Sequence, residues 1–232
     1  MRLNPTLKKF AALGVLLCAS VAVAQTCTSP KRIVVIGSST AAGTGANPAS
    51  SAWVPLFASY VKGVNAKNEI INLAGGGYTT YQALPTGTVN PSDRPAVDAA
   101  KNITAALSYG PDAIVVNLPS NDAASGFTLA ETEANFQRIV ATADAAHVPI
   151  WVTTTQPRNL EENGRMLLRE TRDWVNRTYG SHAIDFWTTI ANADGTLNNV
   201  YDSGDGIHLN NAGHSILYNR AVASGVMKSI CR

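Results

Sequence analysis

Apolar residues along the chain fall into short uninterrupted runs that alternate with longer segments of mixed polarity. Runs of β-branched residues bounded by glycine or polar residues indicate buried strands. These runs predict five strands, at residues 32–36, 69–73, 112–118, 149–153 and 183–186. Apolar residues that recur at spacings of three and four indicate helices. That spacing predicts helices at 52–61, near 96–107, at 131–146, at 165–179 and from about 212 to 227.

The order of these elements indicates the fold class. Strands that alternate with helices are typical of an α/β protein, and we expect a mainly parallel five-stranded sheet with helices on both faces. The strands are continuously apolar, as expected where both faces of a sheet are buried. No repeat or linker interrupts the pattern, so we predict one domain at 30–231. In such sheets ligands bind at the carboxyl ends of the strands, which makes the loops there the candidates for chemistry.

The N-terminal segment, residues 1–24, has the pattern of a signal peptide. Three basic residues precede an apolar stretch at 10–23, and small residues occupy the positions before a cleavage site that we place after Ala24. The alternative is a membrane anchor that stays attached. The apolar stretch disfavours it, because a spanning helix needs about 20 residues.

Composition and charge narrow the class of protein further. Hydrophobic residues make up 45% of the chain and charged residues 15%, which is typical of a globular domain and not of a disordered one. Removal of residues 1–24 takes away three basic residues and no acidic one, so the formal net charge changes from +2 to −1. Nothing here suggests nucleic acid or an anionic membrane as a partner. We therefore expect a secreted or periplasmic monomer with no stable membrane association after cleavage.

Two cysteines, Cys27 and Cys231, remain after that cleavage, one near each end of the mature chain. An even number of cysteines in an exported protein predicts a disulfide. The ends of a compact domain often lie close together, so this bridge is geometrically reasonable. The alternatives are two free thiols or pairing with another chain.

Three loops after predicted strands contain candidate chemical groups. Ser39 lies in a small-residue turn after the first strand, where a hydroxyl can project and backbone N–H groups can face an anion. That turn could instead bind a phosphate or only reverse the chain, but it lacks the P-loop and dinucleotide spacings. The glycines at 75–77, after the second strand, permit close approach of the backbone to a ligand. Asn121, after the third, can donate an N–H, although each loop alone is also consistent with an ordinary turn.

A fourth loop, late in the chain, contains Asp205 and His208. Histidine can take a proton from a serine and return it to a leaving group, and a nearby carboxylate can orient the ring. Asp202 is a minor rival to Asp205. The other histidines lack such a setting or rank well below His208; they are His147, His182 and His214.

These four loops together resemble the SGNH, or GDSL-like, hydrolase family. Residues 37–39 stand where that family has Gly-Asp-Ser, and residues 72–77 stand where it has Asn-x-Gly-x-x-Gly. Residues 120–122 correspond to the family's Gly-x-Asn-Asp, and residues 205–208 match its Asp-x-x-His. Each motif is short, but their appearance in one order over nearly the whole mature chain makes the resemblance specific.

The resemblance implies a flavodoxin-like three-layer α/β/α sandwich and ester hydrolysis without a metal or other cofactor. It implies that Ser39 is the nucleophile, His208 the general base and Asp205 the orienting acid. It also implies an oxyanion hole that consists of the Ser39 N–H, the Ala74 N–H and the Asn121 side chain.

The sequence departs from the family pattern at two positions. Ser38 replaces the family aspartate, but this position is outside the triad, so the chemistry should survive. Ala74 replaces a glycine and retains its N–H, at a cost of about 1 kcal/mol or more if the backbone there needs a positive φ. Gly75 is the substitute candidate for that donor.

The function that we predict is a secreted serine esterase that hydrolyses short acyl esters, with acetyl favoured, of small-molecule or carbohydrate alcohols. Trp53, Tyr78 and Arg158 lie in segments near the predicted site and are candidate substrate-binding residues. An arylesterase or a lysophospholipase of the same fold is the alternative within esterases. Outside that class, the alternatives are a non-catalytic carbohydrate-binding protein and a nucleotide-binding doubly wound domain.

Overall fold

The structure, a computed structural model, describes Met1, residues 27–118 and residues 120–231. Apart from Met1, the predicted signal peptide at 1–24 lies outside the described residues. Among the described residues, no helix is long and apolar enough to cross a membrane.

Five parallel strands form one sheet at the centre of the fold, in the order β2-β1-β3-β4-β5. The strands are β1 at Arg32–Gly37, β2 at Glu69–Asn72, β3 at Ala113–Asn117, β4 at Ile150–Thr153 and β5 at Ala183–Ile184. The register pairs Gly37 with Asn117, so β1 and β3 end side by side. The loops that follow them, which contain Ser39 and Asn121, therefore emerge at the same edge of the sheet.

Eight α-helices and three 3-10 turns connect these strands in the described part of the chain. The first four helices are α1 at Ser39–Ala42, α2 at Trp53–Val64, α3 at Ile103–Ser108 and α4 at Ser120–Ala124. The others are α5 at Leu129–Ala145, α6 at Glu162–Tyr179, α7 at Asn211–Ala223 and α8 at Val226–Ile230. The 3-10 turns span Ala49–Ser51, Thr80–Ala83 and Gly180–His182.

Successive residues of each strand enter different hydrophobic cores because side chains alternate between the two faces of a sheet. On β1, Ile33 and Val35 join the core beneath α2, α7 and α8, whereas Val34 and Ile36 join the core beneath α3, α5 and α6. These four side chains are completely buried. The two cores confirm the predicted three-layer α/β/α sandwich with a parallel five-stranded sheet.

Several helices and strands begin or end at residues other than the predicted ones, and local contacts explain the differences. The predicted C-terminal helix is two helices, because Gly225 adopts a left-handed φ of +80° between α7 and α8. The helix predicted near 96–107 begins only at Ile103, where the Asn102 side chain accepts a hydrogen bond from the Ala105 N–H. Strand β5 is shorter than predicted, since the Phe186 N–H donates to the Thr154 hydroxyl and leaves the strand ladder.

A disulfide joins Cys27 to Cys231, as predicted; their Cα atoms are 4.7 Å apart, and the two residues are separated by 204 positions in the sequence. Cys27 precedes β1 and Cys231 follows α8. The bridge therefore lies on the side of the sheet from which β1 starts, and the loops that contain Ser39 and Asn121 are at the other end of the strands.

Candidate active site

The turn between β1 and α1 places Ser39 at the first position of a helix. The Ser38 N–H donates to the Asn117 carbonyl at 3.0 Å, which holds the turn against the end of β3. A Cβ at Gly37 would approach the Asn117 carbonyl oxygen to 2.8 Å and the Ala41 Cβ to 2.7 Å. Only glycine permits this close approach, so the sharp exit from β1 and the position of Ser39 depend on it.

Ser39, His208 and Asp205 form a chain of hydrogen bonds. The Ser39 Oγ lies 3.0 Å from the His208 Nε2, and the His208 Nδ1 lies 2.6 Å from the Asp205 Oδ2. Because a carboxylate can only accept, the proton between His208 and Asp205 belongs to Nδ1, which leaves Nε2 free to accept from the serine hydroxyl. This arrangement joins residues 169 positions apart in the sequence.

Asp205 is held as a carboxylate by its own loop. Burial acts to raise its pKa, but hydrogen bonds from the His208 and Ile207 backbone N–H groups and from the His208 ring outweigh it and lower the pKa to about 2. Asp202, the sequence rival, instead accepts hydrogen bonds from the backbone N–H groups of Gly204, Asp205 and Gly206. Asp205 therefore contacts the imidazole, and Asp202 shapes the loop that contains it.

The Asn121 side chain lies at the same pocket, and its orientation is determined by two hydrogen bonds. Its Nδ2 donates to the Tyr78 carbonyl at 2.8 Å, and its Oδ1 accepts from the Arg158 Nη1 at 3.0 Å. A primary amide has two N–H groups. One N–H of Asn121 thus remains for another acceptor in the pocket.

The structure corrects the assignment of Ala74. The Ala74 N–H donates to the Asn72 side chain at 3.1 Å, and the Gly75 N–H donates to the Gly37 carbonyl at 3.0 Å. Both N–H groups are therefore engaged within the protein, and neither residue lines the pocket. Gly76 and Gly77 do line it, and their N–H groups have no hydrogen-bond partner among the described residues.

Trp53 and Tyr78 do not line the pocket either, which corrects their assignment to substrate binding. Trp53 is fully buried and packs edge-on against Phe186 at 5.4 Å, so it belongs to the core. The Tyr78 hydroxyl donates to Asp98, and its ring covers Gly75, while its carbonyl holds Asn121. Desolvation and the Asp98 carboxylate raise the pKa of Tyr78 to about 12.

The pocket is open and has a volume of about 360 Å³. Eight of the described residues line it, and sequence reasoning had proposed four of them, namely Ser39, Asn121, Arg158 and His208. The sequence indicated Gly76 and Gly77 only as part of a glycine loop that could approach a ligand, and it did not indicate Thr44 or Ile207. The adjacent glycines were a signal for Gly76 and Gly77, whereas nothing in the sequence distinguishes Thr44 or Ile207 from ordinary loop residues.

Two of the remaining histidines, His214 and His182, form hydrogen bonds with the backbone outside the triad. His214 is buried, with Nδ1 accepting from the Trp53 N–H at 3.3 Å and Nε2 donating to the Thr44 carbonyl at 3.1 Å. Burial lowers the pKa of His214. His182 donates through Nδ1 to the Ile150 carbonyl at 2.9 Å. Within residues 27–118 and 120–231, no group of three or more His, Cys, Asp or Glu side chains could hold a metal ion.

A parallel α/β/α sandwich with a hydrogen-bonded serine, histidine and aspartate at the carboxyl edge of its sheet is the architecture of one class of serine hydrolases. The sequence model of the GDSL-like lipase/acylhydrolase family matches residues 35–216. This match covers most of the chain, and the chain belongs to that family. A search of curated proteins found no significant match.

Solved structures share the fold at low sequence identity. A GDSL-like lipase from Bacteroides thetaiotaomicron is 17% identical, with a TM-score of 0.65 over 90% of this chain and 93% of that chain. The psychrotrophic esterase EstA from Pseudoalteromonas sp. is 17% identical, with a TM-score of 0.61 over 84% and 96%. Axe2, an acetylxylan esterase from Geobacillus stearothermophilus, is 15% identical, with a TM-score of 0.62 over 84% and 94%.

Proposed function

We propose that the protein is an exported serine esterase that hydrolyses short acyl esters, with acetyl preferred, of small or carbohydrate alcohols. The observation that carries the proposal is the 3.0 Å distance between the Ser39 Oγ and the His208 Nε2, in a pocket that is open to substrate. The interaction of Asp205 with His208 Nδ1 supports it, because it selects the tautomer that can accept the serine proton.

In the proposed mechanism the Ser39 Oγ attacks the ester carbonyl while the His208 Nε2 takes its proton. The free N–H of Asn121 and the backbone N–H of Ser39 are candidate donors to the resulting oxyanion. Gly76 and Gly77 replace Ala74 as the candidates from their loop, because their N–H groups are unoccupied at the pocket. His208 then protonates the leaving alcohol, and water repeats the sequence on the acyl-serine.

The preference for a short acyl group rests on the pocket lining. Ile207 is the one large apolar side chain among the described residues that line the pocket. A longer acyl chain would gain about 0.8 kcal/mol for each methylene that large apolar side chains bury, and Ile207 is the single such side chain among these described lining residues. Acetylxylan esterases among the structural neighbours support acetyl esters of carbohydrates as a candidate class.

Export is proposed on two observations. Residues 1–24 have the charge and apolar pattern of a signal peptide, and the Cys27–Cys231 disulfide suits an oxidising compartment. Fractionation of cells that express the full chain tests this, with the N-terminus of the mature protein determined by mass spectrometry. A chain that keeps residues 1–24 and stays in the membrane fraction would contradict it.

The enzyme activity is tested by covalent labelling with an alkyl phosphonate, combined with hydrolysis of 4-nitrophenyl acetate, butyrate and octanoate. The structure of EstA inhibited by monoethylphosphonate makes this class of probe a reasonable choice. We expect stoichiometric labelling at Ser39 and a kcat/KM that falls from acetyl to octanoyl. A rise toward octanoyl would favour a lysophospholipase, and protein that neither labels nor turns over would favour a non-catalytic binding protein.

A further inference from the structure

Arg158 gives the candidate active site a permanent positive charge. Among the described residues that line the pocket, Arg158 alone has a side chain that stays charged throughout the pH range in which the protein would be assayed. Its Nη1 donates to Asn121 at 3.0 Å, and no other hydrogen bond to its side chain is present in the described part of the structure. Its Nε is buried without a hydrogen-bond partner among these residues.

Arg158 has no ion pair with a carboxylate among the described residues, whereas other partly buried arginines do. Arg94, Arg165 and Arg169 each form an ion pair with the carboxylate of a glutamate. Within residues 27–118 and 120–231, no carboxylate oxygen lies within 4.0 Å of a nitrogen of Arg158. The guanidinium thus combines partial burial with the lack of a paired anion, an arrangement that costs free energy unless a ligand compensates for it.

Asp205, whose charge acts on Arg158, does not supply that anion. Its Oδ1 accepts from two backbone N–H groups and its Oδ2 is occupied by the His208 ring. Burial lowers the pKa of Arg158, and Asp205 opposes this only through long-range attraction. The guanidinium fork, which suits the two oxygens of a carboxylate, therefore keeps unused donor capacity at the pocket.

We propose that Arg158 selects esters whose alcohol portion carries a carboxylate, such as acyl esters of hydroxy acids or of acidic sugars. This inference rests on the proposed function. Since the acyl group of that function is short and uncharged, the anion must belong to the alcohol portion. A carboxylate there would bind the unpaired guanidinium while the scissile carbonyl lies between Ser39 and Asn121.

Arg158 also positions Asn121, and the two roles have different kinetic consequences. Loss of the hydrogen bond to the Asn121 Oδ1 disturbs a candidate oxyanion donor and slows hydrolysis of every ester. Loss of the positive charge weakens only the anionic ester. The ratio of kcat/KM for an anionic ester to that for a neutral ester of the same shape separates these effects.

The experiment compares 4-acetoxybenzoate with 4-acetoxybenzamide as substrates of the wild-type protein, Arg158→Gln and Arg158→Lys. Intrinsic differences between the two leaving groups cancel when the ratio for a variant is divided by that for the wild type. The matched control is Arg177→Gln, which removes the same charge from an exposed position near the C-terminal end of α6. Inhibition by 4-hydroxybenzoate and 4-hydroxybenzamide gives a second measurement.

We expect Arg158→Gln to lower the ratio of kcat/KM for the anionic ester to that for the neutral ester by about tenfold. Arg158→Lys keeps the positive charge and should lower this ratio less, and Arg177→Gln should leave it unchanged. In the wild type alone, higher salt should weaken hydrolysis of the anionic ester and not that of the amide, because salt screens the charge pair. An unchanged ratio in Arg158→Gln together with a salt-independent wild-type ratio would overturn the inference while leaving the esterase function intact. Wild-type protein that cleaves neither ester and resists the phosphonate would overturn both.

Discussion

At the scale of single residues, Ser38 and Ser39 are neighbours with different surroundings. The Ser39 hydroxyl contacts His208, whereas Ser38 is buried and its backbone N–H is bonded to Asn117. We predict that Ser39→Ala lowers kcat by at least about 10³-fold, with circular dichroism unchanged. Ser38→Ala is the matched control and should be much milder. Near-normal turnover by folded Ser39→Ala would show that another group attacks the ester.

The orienting acid can be tested with a matched pair of aspartates. Asp205→Asn should lower kcat by about 10²- to 10⁴-fold, because an amide no longer selects the tautomer that accepts the serine proton. Asp202→Asn keeps an oxygen that accepts from the loop N–H groups and should be mild. Since the Asp205 pKa is about 2, this carboxylate stays charged in mildly acidic solution, and wild-type activity should not be lost there through its protonation. Equal losses in the two variants would contradict this division of roles.

Asn121 provides the third test at this scale. Asn121→Ala should reduce kcat by about 10²- to 10³-fold with little change in KM, because the proposed hydrogen bond forms with the oxyanion of the transition state. Steady-state kinetics with a short-chain ester measures both parameters. A change confined to KM would instead indicate that Asn121 binds the ground-state substrate.

At the scale of elements, a buried carboxylate ties the 3-10 turn at Thr80–Ala83 to helix α4. The Asp122 Oδ1 accepts from the Thr80 hydroxyl at 2.5 Å, and its Oδ2 accepts from the Thr80 N–H at 2.9 Å. Asn135 of α5 donates to the same hydroxyl at 2.9 Å. This network holds the helix that contains Asn121. Desolvation raises the pKa of Asp122 from 3.8 to about 6 despite these donors.

This shift predicts a pH-dependent stability. Between about pH 4 and pH 6 the folded protein retains a proton at Asp122 that the unfolded chain releases, so the free energy of unfolding falls as the pH rises through this window. Asp122→Asn cannot ionise. The stability of the wild type relative to that variant should therefore decline by up to about 3 kcal/mol across the window and then level off. Urea unfolding of both proteins from pH 4 to pH 7 measures this, and a constant difference would contradict it.

At the scale of the whole molecule, the disulfide closes almost the entire described chain into one loop. In the loop-entropy model, a bridge between residues 204 positions apart raises the free energy of the unfolded chain by about 5 kcal/mol, and this figure is an upper value. We predict that the double variant Cys27→Ser/Cys231→Ser has a clearly lower Tm and an unchanged kcat at 25 °C, because the bridge lies at the end of the sheet opposite Ser39. Calorimetry and ester hydrolysis measure the two quantities. A large loss of kcat in the folded variant would show coupling between the bridge and the site.

Much of the fold was predictable because its signals are local. Uninterrupted apolar runs marked all five strands, and the three- and four-residue spacing marked helices such as α5 and α6 within a few residues. The exact ends were less predictable, since they depend on single contacts. The Thr154 hydroxyl, for example, takes the Phe186 N–H away from β5.

The sequence by itself determined which residue types stand at the carboxyl ends of the strands, and a parallel sheet necessarily brings those ends together. Ser39 and Asn121 were predictable as neighbours for this reason, whereas Asp205 and His208 lie in a later loop and were assigned from their Asp-x-x-His spacing. Only the tertiary structure decided which backbone N–H groups at the site are free and which are not. Hydrogen bonds to Asn72 and Gly37 occupy those of Ala74 and Gly75, leaving Gly76 and Gly77.

The tertiary structure also decided which of the residues expected to bind substrate lie in the pocket. Trp53 and Arg158 were indistinguishable as candidates in the sequence, but Trp53 packs against Phe186 in the core and Arg158 lies in the pocket without a paired carboxylate. Burial and pairing depend on what the rest of the chain places around a side chain. A one-dimensional pattern records the side chain's own chemistry, and only the folded molecule determines which neighbours satisfy it.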